Sequence, residues 1–439
     1  MSLIRSVLEI WLPRIWAVFL LLIACTPRVW AAEQEKLPSF EEYLRKSAVP
    51  REVIEAFLSG SGWVKFDAEL GYVRSNYIPR IGIDQSATLS TTQGDGARTS
   101  FMYVGRKARI NTYGDSFTEG MQVNDGETWQ EALAAHLGEP IRNFGVGGYG
   151  VYQAYRRMLR EEASDHAAEY IIFSIWGDAH VRSLFRARHA AIYSGYPSTL
   201  DGGHMFHGNF WPHVELEPKS RRFVEKENQL FSEESLYHMS EPQWMVDHLK
   251  GDLALQLSVY SSGLIRSVNR KAVDSLAARL DFPMDWSLDE LSLRAQASAL
   301  LDRYSLGATL FILEKVKKFA REKGKKVLVV LCDPQRVMSE YEPTDAFSSS
   351  HRVNLSARRY DQPIVDYLAR EKMSYFDMNE IHIRDFKKFS GTWEEYLNQY
   401  FIGHYNPRGN NFFAASIKDA IVQWLEPKPI TYQNADAAQ

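Results

Sequence analysis

The feature that most restricts the fold is an alternation of short apolar runs with amphipathic stretches between residues 108 and 176. Ala108–Tyr113 has the length and residue types of a strand. A glycine-bearing turn leads from it into Thr128–Leu137, whose apolar positions recur at helical spacing. Pro140–Phe144 is a second short strand, Tyr152–Glu162 a helix, and Tyr170–Trp176 an apolar run of the length of a buried strand. Strands separated by helices return parallel to one another, so the rhythm predicts a parallel sheet with helices on both faces. It resumes at Leu306–Ala320, where Leu310, Leu313, Val316 and Phe319 mark one helical face ended by Gly324. Strands at Lys326–Cys332 and Ser374–Met378, a helix at Gln362–Glu371 and a last helix at Asn411–Leu425 complete the set.

Two stretches do not follow the rhythm. Residues 32–104 form an N-terminal accessory region, with helical periodicity over Phe40–Leu58, short strands within Trp63–Tyr77 and loop over Ser86–Ser100. A long insertion, 183–300, interrupts the α/β region 105–430 with loops rich in aromatics and histidine, then with helical stretches such as Trp244–Val259. From Glu426 the chain is expected to be loosely ordered, with 431–439 a flexible tail.

Three blocks carry chemistry. Tyr113-Gly114-Asp115-Ser116-Phe117-Thr118-Glu119-Gly120 puts a serine at the carboxyl end of a strand and before a helix, the edge where open α/β sheets bind ligands. Its hydroxyl suits a nucleophile and its own N–H an oxyanion, although a strand-end serine also serves as a helix cap. Asn143-Phe144-Gly145-Val146-Gly147-Gly148-Tyr149-Gly150 is a glycine-rich turn after a strand, able to bring backbone N–H groups to a ligand. Its spacing departs from the dinucleotide fingerprint, which favours an oxyanion loop over a phosphate loop. Gly403-His404-Tyr405-Asn406-Pro407 precedes the last helix, where a neutral imidazole can take a serine proton and return it to a leaving group.

The order of these blocks resembles the SGNH (GDSL-like) hydrolase family over roughly 105–183 and 305–425. The resemblance implies a flavodoxin-like three-layer α/β/α fold with about five parallel strands, and ester hydrolysis or acyl transfer without metal or cofactor. It implies Ser116 as nucleophile, His404 as base, and Ser116, Gly148 and Gly177 around the oxyanion. Two positions depart from the family pattern. Gly177 stands where that pattern has an asparagine donor, a loss that can cost roughly 2.7–4 kcal/mol of transition-state stabilisation. Gly177→Asn is therefore expected to be tolerated and to restore a donor. Phe401 stands where the pattern has the aspartate that orients the histidine. Asp178, Asp333, Asp377 and Glu395 are the carboxylates that can replace it, a backbone carbonyl is another candidate, and a dyad is the remaining option.

The start of the chain predicts export. Arg5 and Arg14 precede an uncharged apolar run, Ile15–Ala24, too short to span a bilayer comfortably, and small residues follow at Ala31 and Ala32. Residues 1–31 read as a signal peptide cleaved after Val29-Trp30-Ala31. The alternatives are a signal anchor and Leu22-Ile23-Ala24-Cys25, which resembles a lipobox that would anchor Cys25 to lipid. Cys25 and Cys332 are the two cysteines of the chain, so neither cleavage leaves an internal disulfide. The net charge of −4 gives no footprint for nucleic acid, and Arg156, Arg157 and Arg160 read as a solvated helix face. His204, His207 and His213 lack a completing ligand set for a metal. The aromatics beside them, Phe206, Phe210 and Trp211, suit either a sugar face or the packing of their own loop. The expectation is an exported esterase whose partner is an ester substrate, such as an acetylated polysaccharide. The alternatives are a lipid or aryl esterase, and an acetyl-transfer or glycan-binding protein on the same scaffold.

Overall fold

A computed structural model describes residues 37–60, 62–177, 179–187, 210–217, 220–341 and 359–433. The leader and Cys25 lie outside the described residues, as do Asp178, His204 and His207. No described helix is long and apolar enough to cross a membrane.

The strands are, in chain order, β1 (Val64–Asp67), β2 (Gly71–Arg74), β3 (Ile110–Tyr113), β4 (Ile141–Asn143), β5 (Tyr170–Trp176), β6 (His213–Leu216), β7 (Phe223–Lys226), β8 (Lys326–Cys332) and β9 (Ser374–Asp377). Five of them form one sheet in the order β4-β3-β5-β8-β9, with every pairing parallel. Counted within the sheet this is 2-1-3-4-5, the flavodoxin-like order. The central pair is in register along its whole length, from Tyr170↔Lys326 to Trp176↔Cys332. Both faces of the central pair are covered, which is why 170–173 and 327–332 are apolar runs.

Period-two alternation divides the sheet between two cores. Ile171, Phe173, Ile175, Val329 and Leu331 belong to one core, and Ile172, Trp176, Leu328, Val330 and Cys332 to the other. The first core is shared with the helices Val151–Glu161 and Glu290–Lys323, and also with Phe40, Leu44, Ile54 and Tyr72 of the N-terminal region and Leu255 and Val259 of the insertion. The second lies under the helices Trp129–Leu137 and Pro407–Trp424.

Several elements differ from their sequence reading, each for a local reason. The Phe40–Leu58 periodicity is carried by two helices, Phe40–Lys46 and Arg51–Leu58, because Pro50 cannot continue the first and instead precedes the second. Trp244–Val259 likewise breaks into Pro242–Leu249 and Leu253–Ser261, the second capped by Asp252 accepting from the Leu255 N–H. The helix expected at Leu306 starts at Glu290 within the insertion and runs 34 residues to Gly324, whose φ of 62° closes it. Arg156, Arg157 and Arg160 are not a solvated face. Arg157 is buried and donates to the Gly96 carbonyl, Arg156 pairs with Glu69 and Glu227, and Arg160 pairs with Asp67. They fasten the sheet-covering helix to the N-terminal region and the insertion. The tail is tied down as far as Gln433: the Tyr170 hydroxyl bonds Glu426, and Thr431 donates to the His136 carbonyl.

Candidate active site

β3 ends at Tyr113, and Asp115 then caps a single helical turn, Ser116–Glu119, by accepting from the Phe117 N–H at 3.0 Å. This places Ser116 at the carboxyl edge of the sheet. His404 arrives from a tight loop between the helices Trp393–Tyr400 and Pro407–Trp424. Phe401 and Tyr405 bridge that loop at its base, and the Ile402 N–H donates to the His404 carbonyl at 2.9 Å. Asn406 then caps the last helix through the Gly409 N–H, with Pro407 at its first turn. These constraints set the imidazole Nε2 2.7 Å from Ser116 Oγ, across 288 residues of sequence. The Phe117 ring, stacked on Trp176, packs against the imidazole at 4.6 Å between centroids.

On the far side of the ring, His404 Nδ1 lies 3.1 Å from Gln122 Oε1, and the His404 backbone N–H donates to the same oxygen at 2.6 Å. Gln122 Nε2 in turn donates to the Ile81 carbonyl at 3.0 Å. Of the carboxylates named from the sequence, the three among the described residues have other partners. Asp377 pairs with Arg359, Glu395 caps the Thr392 N–H, and Asp333 accepts from the Arg336 N–H and the Tyr360 hydroxyl. Phe401 is a buried core residue stacked on Tyr405.

The glycine loop stands against the serine. The direction of a Cβ on Gly147 leads to Ser116 Cβ at 3.9 Å. The Gly147 N–H is taken by Glu119 Oε2 at 2.6 Å. Gly148, with φ of 78° in the turn closed by Tyr149 N–H to the Val146 carbonyl, has the left-handed conformation that a type II turn requires. Among the described residues, the N–H groups of Ser116 and Gly148 donate to no protein acceptor. Gly177 is different. A Cβ there would collide with the Asp333 carboxylate, 2.6 Å from its Cγ, and with the Tyr360 hydroxyl at 2.7 Å. An asparagine at this position requires the Asp333 and Tyr360 side chains to move aside, a demand that the sequence reading of Gly177→Asn did not include.

Much of the site is held by the N-terminal region, which no sequence signal marks as part of it. The Tyr72 hydroxyl donates to the Gly147 carbonyl at 3.0 Å and accommodates Tyr149, whose hydroxyl donates back to the Tyr72 carbonyl. Arg74 pairs with Glu119, and burial draws its guanidinium down to about 10 against the opposing pull of that carboxylate. Arg98 pairs with Asp125 at 2.7 Å and donates to the carbonyls of Glu119, Gly120 and Val123. Phe210 and Trp211 are buried, Trp211 donating to the Arg182 carbonyl, so these two aromatics pack into the first core rather than present a sugar platform. His213 is buried in β6, 3.8 Å from Glu215.

Fold and site together define an α/β protein carrying a serine–histidine pair at the carboxyl edge of a flavodoxin-type sheet. The sequence matches no protein-family profile and no curated protein. Among solved structures it is similar to a member of the lipolytic protein G-D-S-L family from Veillonella parvula DSM 2008, at 12% identity, 71% of this chain, 96% of that chain and a TM-score of 0.29. A protein from Desulfitobacterium hafniense DCB-2, provisionally given as lipolytic and of the same family, is similar at 9% identity, 71% and 97% coverage and a TM-score of 0.28.

Proposed function

We propose that the chain is a serine acyl hydrolase of SGNH type, with Ser116 as nucleophile and His404 as general base. The observation that carries the reading is the 2.7 Å contact of Ser116 Oγ with His404 Nε2. A serine hydroxyl is a poor nucleophile until a base accepts its proton, and this contact is within transfer distance. The Ser116 oxygen adds to the ester carbonyl as its proton passes to Nε2. The N–H groups of Ser116 and Gly148 suit the oxyanion that forms. The imidazolium then protonates the departing alcohol, leaving an acyl-serine that water, activated by the same imidazole, hydrolyses. Gly177 is assigned no side-chain donor in this scheme.

The test is Ser116→Ala, His404→Ala and the double variant, assayed on an aryl acetate with thermal unfolding as a control. Each single change should lower kcat at least about a thousandfold, and the double change little further, because the pair acts as one unit. Full activity in Ser116→Ala would place the nucleophile elsewhere. The finer reading is an exported enzyme acting on acetyl esters of an extracellular polysaccharide, supported by the leader-like start of the chain. Intact mass of the native protein checks the leader, and an uncleaved cytoplasmic chain would end that part. Acetate release from acetylated glycan, set beside acetyl transfer to an added sugar and cleavage of lipid or aryl esters, distinguishes the substrate classes.

A further inference from the structure

The imidazole of His404 needs a partner on Nδ1 if its Nε2 lone pair is to face the serine, since a neutral ring carries its proton on one nitrogen or the other. We propose that Gln122 is the positioning residue for His404, its amide oxygen standing where a carboxylate would otherwise orient the ring. This rests on the reading of His404 as the base.

The orientation of the amide follows from its neighbours. The Ile81 carbonyl can only accept, so the Gln122 group facing it at 3.0 Å is the NH2. That leaves Oε1 toward His404, where the backbone N–H, which can only donate, lies 2.6 Å away. Oε1 has a second lone pair, and Nδ1 at 3.1 Å is its donor. The proton therefore sits on Nδ1, and Nε2 is left to accept from Ser116 Oγ at 2.7 Å. One carbonyl in the N-terminal region thus sets the tautomer of a histidine more than three hundred residues away in sequence.

The backbone is built to present this amide. Gln122 has φ of 72°, a left-handed conformation uncommon for a residue with a side chain. It is held there by Arg98, which takes the Gly120 carbonyl on one side and the Val123 carbonyl on the other, both at 2.6 Å. Across the gap, Gly403 has φ of 109°, and a Cβ there would come within 3.0 Å of Gln122 Oε1. The nearby acids are committed to other donors: Asp115 to the Phe117 N–H, and Glu119 to the Gly147 N–H and Arg74. On the other flank, Tyr405 is bonded to His382 and Cys332. An amide in this place gives direction without charge, so the imidazolium formed during turnover gains less stabilisation than beside a carboxylate.

The experiment uses the intact chain with 15N-labelled histidine, as wild type, Gln122→Met and Gln122→Glu. Methionine keeps the length of the side chain and removes the amide. Side-chain 15N shifts of His404 across pH report tautomer and titration whether or not an ester is turned over. Wild type should show the proton on Nδ1. Gln122→Met should lose that single tautomer, with kcat lower by about a hundredfold and KM within about threefold, in line with the large rate cost of a wrong tautomer. Gln122→Glu should keep the Nδ1 proton and raise the His404 midpoint by about one pH unit or more, moving the acidic limb of kcat/KM with it. An unchanged tautomer in Gln122→Met, or an unmoved midpoint in Gln122→Glu, overturns the proposal. A wild type with the Nδ1 tautomer but no turnover of any ester upholds the positioning role and fails only the hydrolase reading.

Discussion

Arg98→Met is the substitution that most directly tests whether the N-terminal region is part of the catalytic framework. The Arg98 side chain is 1% exposed and pairs at 2.7 Å with Asp125, which is fully buried. It also makes three short bonds to carbonyls, Glu119 at 2.7 Å and Gly120 and Val123 at 2.6 Å, and a longer one to Leu89 at 3.3 Å. Breaking one side of a buried ion pair costs about 3–5 kcal/mol, because the remaining charge has lost its compensation. Here Asp125 keeps the Thr91 N–H and hydroxyl, which moderates the loss, whereas the abandoned carbonyls add to it. The expected cost is about 4 kcal/mol, a large share of a total that is typically 5–15 kcal/mol. Urea unfolding followed by tryptophan fluorescence reads it. Arg98→Lys, which can reach Asp125 but not all the carbonyls, should fall between. The double variant with Asp125→Asn should cost clearly less than the sum of the singles. If Arg98→Met costs under about 1 kcal/mol, the pair does not hold the loop as argued. The same loop carries Gln122, so activity should fall even where the variant remains folded.

Two further outcomes follow from buried positions. Gly177→Asn should destabilise by about 1–3 kcal/mol through overpacking against Asp333 and lower activity, and a stable, more active variant would refute the assigned backbone. His382 is fully buried between the hydroxyls of Tyr396 and Tyr405, and burial drives its pKa down to about 3. Because the unfolded chain takes up this proton near pH 6.5 and the folded one does not, its contribution is present above that pH. It is lost as pH falls toward 3, at up to about 1.4 kcal/mol per unit. His382→Gln should flatten the slope of unfolding free energy between pH 6 and 4, and an unchanged slope would mean the buried imidazole is not neutral.

Alternation of short apolar runs with stretches of period 3.6 was enough to read the parallel sheet, since strands buried on both faces leave predominantly apolar runs such as Tyr170–Trp176 and Lys326–Cys332. The serine and histidine blocks were legible too, because a glycine-bearing strand end and a loop capped into a last helix are local patterns. Their meeting at 2.7 Å is a fact of tertiary structure, as are the identities of their helpers. Gln122 carries no mark in sequence: its use depends on its own left-handed backbone, and on Arg98 and a carbonyl at Ile81, neither of which is adjacent to it. Arg157 looked solvated for the same reason, since a charged residue on a helix declares its burial only when another segment covers it. Local physics selects strands, helices and caps from neighbours a few residues apart. The partners of buried polar groups are chosen by packing between distant segments, and only the folded chain brings those together.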